Sequence, residues 1–296
     1  MKIGIFSTFI DRDALKLVED VQRSIQQGEI PNTEISFIFS NRSSGNNKTT
    51  DTMMSNLAHQ ETPLITFSSA TFEPELRKTA QQSRNQGDNS LVEEWRNKYG
   101  DGVLRMLPPT DIDLLLGYMQ IWGENMCDKR NGINLHPAIP GGPKGEWHKV
   151  IWELIQQDAK ETGAMMHKVT PQLDSGPAVS YCQFSIRGYE FDSLWSKLPQ
   201  EPNARETAIR QGISERGRST NPLFRKIRDH GFARETPLII QTTKAFAEGS
   251  VRIEGKQIVD KNGLGLKEGY DLTRQIDEAI KPTFEGNSLL GKEVKI

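Results

Sequence analysis

The run Gly132-Ile133-Asn134-Leu135-His136-Pro137 is a short apolar segment stopped by proline, with an amide and an imidazole two residues apart. It reads as a strand. Positions 134 and 136 of a strand project to the same side, so both polar groups leave one face beside its end. Upstream, Asp111 to Gly117 carries Ile112, Leu114, Leu115 and Leu116, an apolar run suited to the middle of a sheet. Downstream, Trp147, Val150, Ile151, Leu154 and Ile155 recur at i, i+3, i+4, i+7 and i+8, the pattern of an amphipathic helix.

The same alternation extends in both directions. Lys2 to Ser7 reads as the first strand, followed by a helix on Ala14, Leu15, Val18, Val21 and Ile25, with Asp11 or Asp13 as its cap. Glu34 to Phe39 and Leu64 to Phe67 are further strands, separated by the turn-rich segment 40–47 and a helix around Met53, Met54 and Leu57. Ala164 to Val169 and Ala178 to Ile186 read as two more. Short apolar runs alternating with helical periodicity predict an α/β fold, a mainly parallel central sheet with helices on both faces.

Other segments read as additions. Polar runs such as 81–87 break two helices within 69–107, which reads as an insertion. The Arg-, Pro- and Ser-rich stretch 188–230 reads as an elaboration outside the core, its arginines a solvated face. Thr236-Pro237 has the cap-then-proline signature of a helix start, and Gly249 that of its end. A hairpin around Ile253 to Gln257 precedes a polar tail, 261–296, expected to be extended. The expectation is one domain over 1–296, with its core in about 1–187 and 231–260.

Composition narrows the class. Of 296 residues, 35% are hydrophobic and 26% charged with net charge −2, which excludes collagen, coiled-coil and membrane classes and leaves no basic excess for nucleic acid. Cys127 and Cys182 make no CxxC pair, which fits a reducing compartment. Thr8, Asp11 and Arg12 interrupt the first apolar run before a signal-peptide core develops, so a cytoplasmic location is expected, without membrane or nucleic-acid partners and with the oligomeric state open.

The polar chemistry gathers at Asn134 and His136, the glycine-rich Gly141-Gly142-Pro143, and Leu173-Asp174-Ser175-Gly176-Pro177. An amide donor, an imidazole and a carboxylate supply what acyl transfer to an amine requires: groups that hold an oxyanion and one that takes protons. Spacing alone leaves two other readings open. Asn and Asp are common turn residues. His136, His148, His167 and Asp174 are candidate metal ligands, although no HExxH or paired-cysteine pattern accompanies them.

Asp113 to Met119, Ile133 to Pro137, Gly163 to Thr170 and Leu173 to Pro177 resemble, in order and approximate spacing, the folate-dependent formyltransferases. Lys2 to Ser7, Phe39 to Arg42 and Arg234-Glu235 through Gly249 extend the resemblance. It implies a Rossmann-like formyltransferase fold and 10-formyltetrahydrofolate as donor, with no metal. It also implies Asn134, His136 and Asp174 as the catalytic trio, with His136 protonated, and a small-molecule amine as acceptor. Met119, Gln120, Ile121 and Trp122, with Thr170 and Leu173 of the 170–176 loop, match the folate-binding region. Glu235 matches an acceptor-side carboxylate.

The sequence departs from the family after the first strand. A glycine-rich loop that binds the acceptor phosphate is usual there, whereas this chain has Ser7 to Asp13 without glycine, leaving Arg12 as the candidate phosphate contact. Gln120 stands where arginine is usual, and Glu146 replaces a histidine. The absence of a dinucleotide fingerprint speaks against a nicotinamide dehydrogenase. The formyltetrahydrofolate hydrolases carry an additional N-terminal regulatory domain, and the methionyl-tRNA formyltransferases a sizeable basic C-terminal one. The resemblance makes glycinamide ribonucleotide the expected acceptor, with a different amine such as a nucleotide-linked amino sugar, or a formyltetrahydrofolate-binding or hydrolysing relative, as the alternative.

Overall fold

The computed structural model describes residues 1–45, 47–58, 61–212 and 219–290. Asn46 of the 40–47 turn, 213–218 of the 188–230 stretch and the last six residues of the tail lie outside the described residues. In chain order the elements are β1 (Lys2–Ser7), α1 (Arg12–Gln26), β2 (Glu34–Ser40), α2 (Lys48–Ala58), β3 (Leu64–Thr66), α3 (Pro74–Asn85), α4 (Ser90–Leu104), β4 (Ile112–Leu115), α5 (Glu124–Lys129) and β5 (Gly132–His136). They continue as α6 (Trp147–Gln156), β6 (Glu161–Lys168), β7 (Ala178–Ser185), α7 (Tyr189–Trp195), α8 (Pro202–Gly212), α9 (Pro222–Ala247), β8 (Val251–Glu254), β9 (Gln257–Asp260), β10 (Tyr270–Asp271) and α10 (Thr273–Leu290).

Among the described residues, eight strands form one sheet in the order β10-β7-β6-β5-β4-β1-β2-β3. The β1–β2, β1–β4, β2–β3, β4–β5 and β7–β10 pairs are parallel, whereas β5–β6 and β6–β7 are antiparallel. Alternating side chains fill two cores, as a strand buried on both faces requires. Ile3, Ile5, Leu114, Ile133 and Met166 enter one core with Val18, Leu57, Leu238 and Ile276. Phe6, Phe37, Phe39 and Leu115 enter the other with Trp95, Tyr99, Trp122 and Met126. No helix among the described residues is long and apolar enough to cross a membrane.

Four segments differ from the sequence expectations. The 69–107 stretch, read as an insertion, is built into the core: Trp95, Tyr99 and Val103 of α4, spaced four apart, complete the second core, with Trp95 stacked on Tyr99 at 5.3 Å. The 188–230 stretch has a core of its own, in which Phe191, Trp195, Leu198 and Phe224 pack against Ile151, Trp152 and Ile155 of α6. Its arginines are not all solvated, since Arg205 donates to Asp158 at 3.1 Å and Arg228 lies 4.7 Å from the Trp147 ring centroid.

The helix expected to begin at Thr236-Pro237 begins at Asn221-Pro222, where the Asn221 carboxamide oxygen accepts from Leu223 and Phe224. Pro237 sits inside this 26-residue helix. A proline there removes one backbone hydrogen bond and crowds the preceding turn, and the burial of Leu238 and Ile239 in the first core offsets the cost. The segment from 261 onward is not an extended tail, since β10 adds a strand and Leu272, Ile276 and Ile280 of the α10 region pack into the first core.

His230 of α9 is packed among the rings of Phe184, Phe191 and Phe284 at 5.8, 5.1 and 4.6 Å. Burial, with Lys226 and Arg234 nearby, pushes its pKa down to about 4 from 6.5. The unfolded chain therefore binds a proton that the folded chain resists, and stability falls as pH drops from 6.5 towards 4, by up to about 3 kcal/mol. Thermal unfolding of wild type and His230→Leu across this range should show the variant losing less stability than wild type on acidification.

Candidate active site

In the β5–β6 ladder Asn134 pairs with His167 and His136 with Met165. Ile133 and Met166 point into the first core, so Asn134, His136 and His167 emerge together on the opposite face. The 170–177 loop folds over that face and delivers Asp174. Its backbone is left-handed there, with φ of 46°, a conformation that aspartate tolerates better than most residues. Gly176 permits the close approach: a Cβ would lie 1.7 Å from the Lys168 carbonyl oxygen.

Asp174 is 8% exposed, and each of its carboxylate oxygens meets one imidazole. Oδ2 faces His136 Nδ1 at 3.6 Å, and Oδ1 faces His167 Nε2 at 3.5 Å. Oδ2 also accepts the backbone N–H of Gly145 at 3.1 Å. Burial alone would raise the Asp174 pKa, but the contact with His167, the charge of His136 and the Gly145 amide outweigh it and hold the carboxyl below its usual range.

His136 is 2% exposed, and its Nε2 lies 2.8 Å from the carbonyl oxygen of Pro143. A carbonyl only accepts, which places a hydrogen on Nε2, while Nδ1 faces the carboxylate. Burial holds the His136 pKa below 6.5 despite Pro143 and Asp174, which both favour the charged form. Burial thus favours the neutral imidazole at rest over the protonated one that the resemblance implies, and Asp174 faces the positive charge when Nδ1 takes a proton.

His167 Nδ1 lies 3.1 Å from the Lys168 carbonyl, which assigns its hydrogen in the same way. Nε2 stands between Asn134 Nδ2 at 3.4 Å and Asp174 Oδ1 at 3.5 Å, so His167 ties the carboxylate to one of the two N–H groups of the carboxamide. The other stays available to an oxyanion. Sequence reasoning had weighed His167 only as a metal ligand, because its pairing with Asn134 depends on an antiparallel register that spacing does not encode. Among the described residues, no group of three or more His, Cys, Asp or Glu is arranged to hold a metal ion.

The loops after β1, β2 and β4 border the site and are tied together through Thr8. Its hydroxyl donates to Asn41 Oδ1 at 2.8 Å and accepts from the backbone N–H of Met119 at 2.8 Å, while Asn41 donates to Ser69 at 3.1 Å. Five large apolar side chains are prominently exposed among the described residues, and three of them, Ile10, Met119 and Leu173, stand on loops around the site. Such exposure is costly in water and marks a surface that an apolar group can cover.

Gln120, Ile121 and Thr170 are partly exposed, the Thr170 hydroxyl donating to the Gln172 carbonyl at 2.8 Å. The Trp122 side chain is not brought to this surface. It is 2% exposed, its ring 5.0 Å from Phe6 and pressed onto Gly132, where any Cβ would lie within 2.4 Å of the indole. On the other side, Arg12 is exposed at the start of α1, and the Asp11 carboxylate caps that helix through Ala14 N–H at 3.0 Å. Glu235 is buried and paired with Arg228 at 2.5 Å, its pKa raised by burial.

This architecture is the Rossmann-like formyltransferase fold: a mainly parallel sheet covered on both faces by helices. The chain is similar to the structure of phosphoribosylglycinamide formyltransferase from Coxiella burnetii, at 16% identity and a TM-score of 0.58, over 92% of this chain and 98% of that one. It is also similar to glycinamide ribonucleotide transformylase 1 from Symbiobacterium toebii, at 15% identity and a TM-score of 0.51, over 87% and 92% of the two chains. No family model matches the sequence, and no curated protein does.

The approach of Gly176 to Lys168 makes the loop's position testable. Gly176→Ala should lower stability by about 2 kcal/mol, a drop of several degrees in Tm, as the loop shifts to relieve the clash. An unchanged melting curve would contradict the placement of the loop.

Proposed function

We propose that the protein transfers a formyl group from 10-formyltetrahydrofolate to an amine, with glycinamide ribonucleotide of de novo purine synthesis as the acceptor and the cytoplasm as its place of action. The observation that carries this reading is the convergence of the Asn134 carboxamide and the His136 imidazole on one face, with the Asp174 carboxylate beside the imidazole. As the amine adds to the formyl carbon, the free Asn134 N–H holds the developing oxyanion. His136 takes the proton released from nitrogen at Nδ1, where Asp174 stabilises the imidazolium, and later returns it to the leaving nitrogen of the donor. No step needs a metal.

The exposed Met119 and Leu173 suit the flat, partly apolar rings of a folate, with the backbone and side chains of Gln120, Ile121 and Thr170 at the same rim. The backbone at Trp122 belongs to that rim too, its ring serving as the packing beneath. Arg12 and Glu235 stand on the acceptor side.

The test is formyl transfer measured with 10-formyltetrahydrofolate against a panel of amines that includes glycinamide ribonucleotide and nucleotide-linked amino sugars. Asn134→Ala, His136→Ala and Asp174→Asn should each lower turnover roughly a hundredfold or more with the fold retained. Near-normal turnover in all three would overturn the assignment, and formate release independent of any amine would replace transfer by hydrolysis. Treatment with a chelator should leave turnover intact, and a loss restored by zinc would restore the metal reading.

A further inference from the structure

From the geometry around Arg228, we infer that this residue binds an anionic oxygen group on the acceptor, a phosphate ester in the amine proposed above. The inference rests on the formyl-transfer reading for its substrate and on the structure for its site. Arg228 lies on α9 with its guanidinium carbon 4.7 Å from the ring centroids of both Trp147 and Phe232. Its Nη1 donates to Glu235 Oε1, and no other hydrogen bond among the described residues holds Nε or Nη2. Two aromatic contacts and one ion pair fix the plane of the fork while leaving part of it open.

The pair is asymmetric in a way that a purely structural ion pair does not require. The Arg228 side chain is 24% exposed, whereas that of Glu235 is 11% exposed, so the cation faces outward and the carboxylate inward. Burial and the nearby charge of Asp13 raise the Glu235 pKa, while the Arg228 charge and hydrogen bond oppose that shift. Arg225 and Lys226 lie on the same helix, Lys226 being paired with Glu190 at 3.0 Å, while Asp229 and Asp13 add negative charge nearby.

The location fits an acceptor. Trp147 follows Gly145, whose N–H binds Asp174, by two residues, or about 7 Å of backbone. Asp13, close enough to Glu235 to raise its pKa, belongs to the first turn of α1 beside the β1 loop. Arg12, by contrast, is exposed between Asp11 and Asp13, and the Asp11 carboxylate already occupies an amide of the helix terminus. A guanidinium held flat with free N–H groups is the better oxyanion receptor, since bidentate contacts with phosphate depend on a fixed fork.

Two measurements test the site and the reading separately. The first is phosphorus NMR titration of inorganic phosphate into the protein. Saturable binding is expected in wild type, weakened about tenfold or more in the double variant Arg228→Met with Glu235→Gln, which leaves no buried charge unpaired. Arg225→Gln, which removes a charge from the same helix without touching the aromatic clamp, should bind within about twofold of wild type. Circular dichroism confirms that each variant is folded. Phosphate binding unaffected by the double variant, or lost equally in Arg225→Gln, would overturn the site.

The second is steady-state kinetics of Arg228→Lys with glycinamide ribonucleotide. The KM for the amine should rise about tenfold with kcat and the KM for the donor nearly unchanged, because lysine keeps the charge but loses the fork. An unchanged KM alongside normal transfer would overturn the site and leave the formyl-transfer reading standing. Phosphate binding that depends on Arg228 without transfer to any phosphorylated amine would overturn that reading and leave the anion site standing.

Discussion

A carboxylate removed from water is expensive unless donors and positive charge surround it, and Asp174 is almost wholly buried. Its placement depends on the antiparallel pairing of β5 with β6, which puts His167 beside Asn134 and two residues from His136 on one face. It depends also on a loop that folds back tightly at Gly176 and turns left-handed at Asp174. The Gly145 amide, from the glycine-rich connection to α6, completes the shell. Sheet register, loop conformation and helix position thus converge on one buried charge. At His136 burial opposes a proton that the Pro143 carbonyl and this carboxylate both favour.

The other half of the site is built by different means. Thr8 links the loops after β1, β2 and β4 through side-chain hydrogen bonds, fixing where Met119 stands without burying it. The aromatic core beneath, from Phe6 to Trp122, packs under this rim. On the proposed reading a rim held in place this way meets a flat ligand at small cost in ordering, with Asn134, His136 and Asp174 on the polar face opposite.

Much of this was legible in the sequence because the parallel strands are continuous apolar runs: β1, β2, β4 and β5 all lie where those runs fall. Asn134, His136 and Asp174 could be named from strand alternation and loop chemistry, and the structure brings them together. What spacing could not convey was the direction of β6, and with it the alignment of His167 with Asn134. The apolar stripe of α4 was obscured by the polar runs around it, and that of α10 by a strongly polar segment. At α9 two cap-and-proline signatures, Asn221-Pro222 and Thr236-Pro237, compete, and burial of Leu238 and Ile239 lets the first prevail. Trp122 falls in the stretch that matches the folate-binding region, yet its ring packs over Gly132 instead.

Asp174 favours the protonated form of His136 against the burial that opposes it, and NMR titration of the His136 imidazole in wild type and in Asp174→Asn measures that coupling. The account predicts a midpoint below 6.5 in wild type and a further fall in the variant, since removing the carboxylate leaves burial unopposed on that side. A midpoint at or above 6.5 that does not move when Asp174 loses its charge would contradict it.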